Sequence, residues 1–100
     1  MSTVEVHCVR VYLTEHDKYQ RLLAHLHDVE KVRGVTVFRG ISGFGQNGHI
    51  HSAQLIDTVL DLPVVVEFFD EPERVDAIIT HLRELVPPGH IVSWAARLEL

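Results

Sequence analysis

Only one cysteine, Cys8, occurs in the chain, so no internal disulfide can form and the fold must stand without cross-links, as suits a reducing compartment. Positive charge is also scarce: nine lysines and arginines face fourteen acidic residues, giving a formal net charge of -5. That balance excludes a duplex-binding module, which needs a basic surface to neutralise phosphates, so no nucleic-acid partner is expected. Six glycines and four prolines are too few for a collagenous or low-complexity chain, and a 46% hydrophobic content excludes disorder. No apolar run approaches the length of a bilayer span, and Met1-Ser2-Thr3-Val4-Glu5 has neither the basic region nor the apolar block of a signal peptide. A cytoplasmic protein with no direct membrane insertion is therefore expected.

What is present is a regular alternation of strand and helix signals over 100 residues, with no shift of composition to mark a linker. This predicts a single domain, 1–100. Residues 4–13, VEVHCVRVYL, are β-branched and aromatic, and read as a first strand. Thr14 and Asp17 have the spacing of a capping box, and Tyr19, Leu22, Leu23, Leu26 and Val29 then recur at helical spacing up to Gly34. Residues 35–42, VTVFRGIS, form a second strand, followed by a stretch without periodicity that runs to Leu62. A connection this long in a small domain is usually functional, and a flexible loop at about 43–62 is expected. Residues 63–69, PVVVEFF, make a third strand, with Pro63 tolerated at its first position. Asp70, Pro72 and Glu73 open a second helix, whose stripe is Val75, Ile78, Ile79, Leu82, Leu85 and Val86. Pro87, Pro88 and Gly89 stop it, and residues 90–99, HIVSWAARLE, form the last strand. The fold class is α+β: a ferredoxin-like βαββαβ order, with a four-stranded antiparallel sheet and two helices on one face.

The strand faces carry a further implication. Strand one places Val4, Val6 and Cys8 on one face and Val9, Val11 and Leu13 on the other. Strand three repeats this, with Val64, Val66 and Phe68 opposed to Val65 and Phe69. Two helices can cover one face only, so the second is expected to pack against other copies of the chain.

The segment from Arg39 to His49, RGISGFGQNGH, is the most distinctive local motif. Its glycines at 40, 43, 45 and 48 allow positive φ and close approach of main chain to a ligand, as in an anion-binding nest, although the pattern matches no Walker or Rossmann fingerprint. Among eight histidines, His49 and His51 would share a face if that stretch were extended, but no third ligand is evident by spacing. His25 and His27, two apart on a helix, read as surface residues. Ser42-Gly43 is not a nucleophile elbow, and Cys8 lies mid-strand with no activator. Asp57, Asp61, Glu67, Asp70 and Glu71 read as an acidic surface and helix caps, so no enzyme is expected.

The order of elements, together with GVTVFRGISGFGQNGHIH and LDLPVVVEFFDEPERVDAII, resembles the PII-like family of small proteins of formerly unknown function, related to the PII nitrogen-regulatory signal transducers. The resemblance covers nearly the whole chain, and is most specific at Gly43-Phe44-Gly45, Gly48-His49 and the block from Leu62-Pro63 to Pro72. It implies a homotrimer that binds a small effector, an adenine nucleotide (AMP, ADP or ATP), in clefts between subunits and acts on a partner protein through the long loop. It requires no other cofactor. Gly43, Phe44, Gly45 and Gln46 match the loop base lining the cleft, Gly89 the short second loop that closes on phosphates, and Arg97 a basic position facing phosphate. With Arg39, Gly48, His49 and His90, these form the expected ligand-binding set.

Two departures bear on the effector. The second loop, Pro87-Pro88-Gly89-His90, is shorter than in the nitrogen regulators and lacks their lysine, which implies a mono- or diphosphate or another anion. Residues 46–62 contain no tyrosine, so nucleotidylation there is absent. Members of this family are often encoded beside fluoride channels, which implies a membrane transporter or channel as partner. The alternative is a divalent-metal-binding trimer similar to the cation-tolerance proteins of the same fold, using His49 and His51.

Overall fold

The computed structural model describes residues 2–44, 50–52 and 62–100. The β-branched runs become strands β1 (Thr3–Thr14), β2 (Val35–Arg39), β5 (Pro63–Asp70) and β6 (Ile91–Glu99), joined into one antiparallel sheet of order β2-β5-β1-β6. The helices are α1 (Gln20–His25) and α2 (Pro72–Leu82). This is the ferredoxin-like arrangement. None of the described helices is long and apolar enough to cross a membrane.

Registers fix which residues share a face. Val9 lies opposite Phe68, Val11 opposite Val66 and Leu13 opposite Val64, while Val35 and Val37 extend the same rows from β2. These side chains meet Leu22 and Leu26 of the first helical segment and Val75, Ile78 and Leu82 of α2 in one core. Each large aliphatic side chain buried there contributes about 1.5–3 kcal/mol. The opposite face carries Cys8, Tyr12, Val65, Phe69, Phe38, Val92 and Trp94, in matching registers and with none of the described helices over it. Val4, Tyr12, Phe38, Val92 and Trp94 on that face are between 38% and 49% exposed.

Four local features differ from expectation. Asp17 does reach back to Thr14, its Oδ2 accepting from the Thr14 N–H at 2.8 Å and Oγ1 at 3.1 Å, but it caps a single 3-10 turn, Glu15–Asp17. The left-handed Lys18 (φ 53) then redirects the chain before α1 begins. After His25 the helix widens into a π turn, Leu26–Glu30, which breaks the 3.6-residue period and rotates Val29 out to 64% exposure. Leu85 is exposed because α2 ends at Leu82, and the following turn no longer obeys helical phase. Finally, β2 stops at Arg39, and part of the stretch expected to lack regular structure is a small hairpin of β3 (Ser42–Phe44) and β4 (Ile50–Ser52).

The wide turn gives a test. Leu26→Ala should cost about 2–5 kcal/mol, as fully buried leucines do, whereas Val29→Ala should stay within about 0.5 kcal/mol. Urea unfolding at fixed protein concentration measures both, and equal losses would mean that Val29 belongs to the core.

Candidate functional site

Four of the residues expected to bind a ligand gather at one end of the sheet. Arg39 closes β2 opposite Val64, Val64 lies opposite Leu13, and the turn carrying Gly89 and His90 enters β6 beside the end of β1. Arg39 and that turn are therefore separated by three strand spacings, roughly 14 Å. The Tyr12 N–H donates to the His90 carbonyl at 2.8 Å, and His90 Nδ1 lies 2.8 Å from the Tyr12 carbonyl. A carbonyl only accepts, so Nδ1 carries the proton in that contact, and Nε2 takes no part in it. Gly89 holds φ +86 at the tip of this turn, a conformation that other residues rarely adopt.

Arg39 is not a free cation. Its Nη2 donates to the Tyr19 hydroxyl at 3.0 Å, its guanidinium lies 6.0 Å from the Tyr19 ring centre, and its Nε pairs with Glu15. The Glu15 charge, with Tyr19, drives the Arg39 pKa still higher.

Gly43 pairs with His51, and Phe44 with Ile50, across the hairpin. Neither Gly40 nor Gly43 has positive φ; what they provide is room. A Cβ on Gly40 would stand 3.1 Å from Pro63 Cβ and Cγ, and one on Gly43 would stand 3.0 Å from Pro63 Cγ. The Gly40 N–H also donates to the Pro63 carbonyl at 2.8 Å, so the hairpin base is seated on the first residue of β5. Gly45, Gln46, Gly48 and His49 lie outside the described residues.

Arg97 is the exception in position. It pairs with Glu5 near the far end of β6, seven residues from His90, so the two are roughly 23 Å apart along the strand. One chain does not bring Arg97 to Arg39, Gly43, Gly89 and His90. A groove of about 750 Å³ between the first helical segment and β2, lined in part by Gln20, Leu23, His27 and Val32, takes in none of these residues.

Two of the five carboxylates read as an acidic surface and helix caps have defined partners. Glu67 Oε1 accepts from Arg10 Nε at 2.6 Å on the open sheet face, where the Arg10 guanidinium also lies 5.6 Å from the Trp94 ring centre. Asp70 is buried and accepts the Glu71 N–H at 2.8 Å, with Arg74 Nε at 3.6 Å. Asp57 and Asp61 lie outside the described residues. Sequence spacing missed one constellation altogether. His25 is not a free surface residue: its Nε2 and His81 Nδ1 each lie 2.7 Å from Glu30 Oε2. Burial alone would raise the Glu30 pKa, but hydrogen bonds from His81 and His25 outweigh it and hold the carboxyl below its ordinary range. The only signal in the sequence was the excess of histidine.

Residues 6–98 match the DUF190 family, described as an uncharacterized ACR. The chain belongs to the DUF190 family. This DUF190 chain is 27% identical over 94 residues to a UPF0166 protein of Methanocaldococcus jannaschii, covering 89% of the chain and 86% of the relative. It is also 27% identical over 88 residues to a UPF0166 protein of Aquifex aeolicus, covering 83% and 84%. Among solved structures it is similar to CPII, a nitrogen regulatory PII-like protein from Thiomonas intermedia K12 bound to ADP, AMP and bicarbonate. The TM-score there is 0.70 at 15% identity, over 99% of this chain and 91% of that one. CutA1 from Oryza sativa superposes with a TM-score of 0.65 at 15% identity, over 98% and 84%. The DUF190 chain thus has the PII-like fold.

Cys8 sits on the open face between Phe69 and Trp94, and burial, with the Glu67 charge, pushes its thiol pKa above the ordinary value, more than Arg10 lowers it. Little thiolate is then available at neutral pH. Iodoacetamide at pH 7.5 should alkylate Cys8 more slowly than free cysteine, as mass spectrometry would follow; labelling at or above the free rate would reinstate it as a candidate nucleophile.

Proposed function

We propose that this protein is a cytoplasmic PII-like regulator that assembles as a homotrimer, binds an adenine nucleotide between subunits, and controls a partner protein through residues 43–62. The observation that carries this reading is the division of the candidate ligand set between opposite ends of one sheet. Arg39, Gly43, Gly89 and His90 stand at one end and Arg97 at the other, so a second copy must supply Arg97 to complete a phosphate-binding cleft. The uncovered apolar face supports such an assembly, because leaving it in water forfeits the burial that stabilises the helix-covered side.

The fold similarity to CPII, which is described as bound to ADP, AMP and bicarbonate, supports the choice of ligand class. In this reading the Gly89 turn approaches phosphate with main-chain amides, His90 presents Nε2, and Arg97 from a second copy gives the bidentate cation that a phosphate accepts. Arg39 braces the loop base through Glu15 and Tyr19. No bond is broken. The ligand changes how residues 43–62 are presented to the partner, in proportion to its differential contacts with the two states. The proposed partner is a membrane transporter or channel.

Titration calorimetry with AMP, ADP and ATP, with and without bicarbonate, tests this directly. One nucleotide should bind per chain, and Arg97→Ala should weaken it by roughly tenfold to a hundredfold, the value of a charge-assisted contact. Silence with all three nucleotides, or an Arg97→Ala protein that binds as tightly as the parent, would overturn the proposal.

A further inference from the structure

We propose that His25, Glu30 and His81 form a binding site for one divalent transition-metal ion of the zinc type. It lies on the helix side of the molecule, and is built by residues distinct from His49, His51 and the nucleotide-binding set. One ligand atom from each of His25, Glu30 and His81 lies within 4.8 Å of the other two. Two imidazoles and one carboxylate are the nitrogen and oxygen donors that zinc accepts in sites with an open position, at about 2.0–2.2 Å each. Both imidazoles already converge on a single carboxylate oxygen at 2.7 Å, so an ion could replace the shared hydrogen bonds with small rotations of the side chains.

The backbone that creates this cluster is unusual. His25 and Glu30 are five residues apart, a separation that an ordinary α-helix turns about 140° out of alignment. The π turn over Leu26–Glu30 closes i→i+5 and brings the two onto one side. His81 enters from the last turn of α2, so the donors come from two separate helical segments. Exposure is graded: the Glu30 side chain is 8% exposed, His25 22% and His81 56%. The anionic ligand therefore lies deepest, and the outer side faces solvent, where water can complete a tetrahedron. Among the described residues, no lysine or arginine pairs with the Glu30 carboxylate. Arg74 instead donates to the Glu30 main-chain carbonyl and is itself paired with Asp70, which fixes the turn without occupying the ligand oxygen. Such outer contacts orient a metal ligand.

Titration of the metal-stripped full chain with Zn²⁺, and with Co²⁺ followed by visible absorption, decides the matter. One ion should bind per chain, in the parent and in His49→Ala/His51→Ala alike, with the strong visible bands of four-coordinate cobalt. His81→Ala should weaken binding by at least about a hundredfold, beyond the usual effect of an outer contact, and abolish those bands. His81 is largely exposed, so this variant should keep the parental circular dichroism; His81→Gln serves if it does not. No stoichiometric binding, binding unchanged by loss of His81, or binding lost with His49 and His51 would each overturn the site. None of these outcomes depends on whether nucleotides bind.

Discussion

A sheet that is apolar on both faces needs two covers, and the described helices supply only one. Val9, Val11, Val64, Val66 and Phe68 are sealed beneath the two helical segments. Tyr12, Phe38, Val92 and Trp94 on the reverse face remain exposed in the single chain. At roughly 25 cal/mol per Å², covering that second face would add substantially to stability. The pair between Arg10 and Glu67 lies within it, with Trp94 beside the guanidinium. Once a second copy covers the face, such a pair contributes little net stability, but a mispaired partner would leave a charge buried alone. In the proposed assembly, this pair would set the register between copies.

Assembly and ligand binding are then one problem. The Gly89 turn is tied to the end of β1 through His90 and Tyr12, and the hairpin base rests on Pro63, so one end of the sheet holds its candidate residues firmly. Arg97 stands at the other end of β6. In the proposed cleft, which needs both ends, effector binding would be conditional on the oligomer and would give the effector leverage over neighbouring subunits.

Much of this architecture could be read from the residues. Period-two runs of valine announced strands with two apolar faces, Asp17 announced a cap on Thr14, and Pro87-Pro88-Gly89 announced a break before the last strand, although α2 already ends at Leu82. What could not be read has two causes: local geometry departing from regular periods, and tertiary contacts distant in sequence. A 3-10 turn with a left-handed lysine delays α1, and a π turn expels Val29. The same π turn joins His25 to Glu30, while only tertiary packing brings in His81, more than fifty residues further along the chain. Gly40 and Gly43 were legible as sites of close approach, but the partner, the Pro63 ring, was not. The assignment of Gly45, Gln46, Gly48 and His49 rests on the family resemblance.

If the open sheet face is an interface between copies of the chain, the mass of the protein in solution shows it most directly. Light scattering coupled to size exclusion should give about three times the 11.4 kDa chain mass for the native protein. The same measurement on Trp94→Asp, which places an unpaired charge in the covered face, should return the mass of one chain. A native protein that remains a monomer at micromolar concentration would contradict the account.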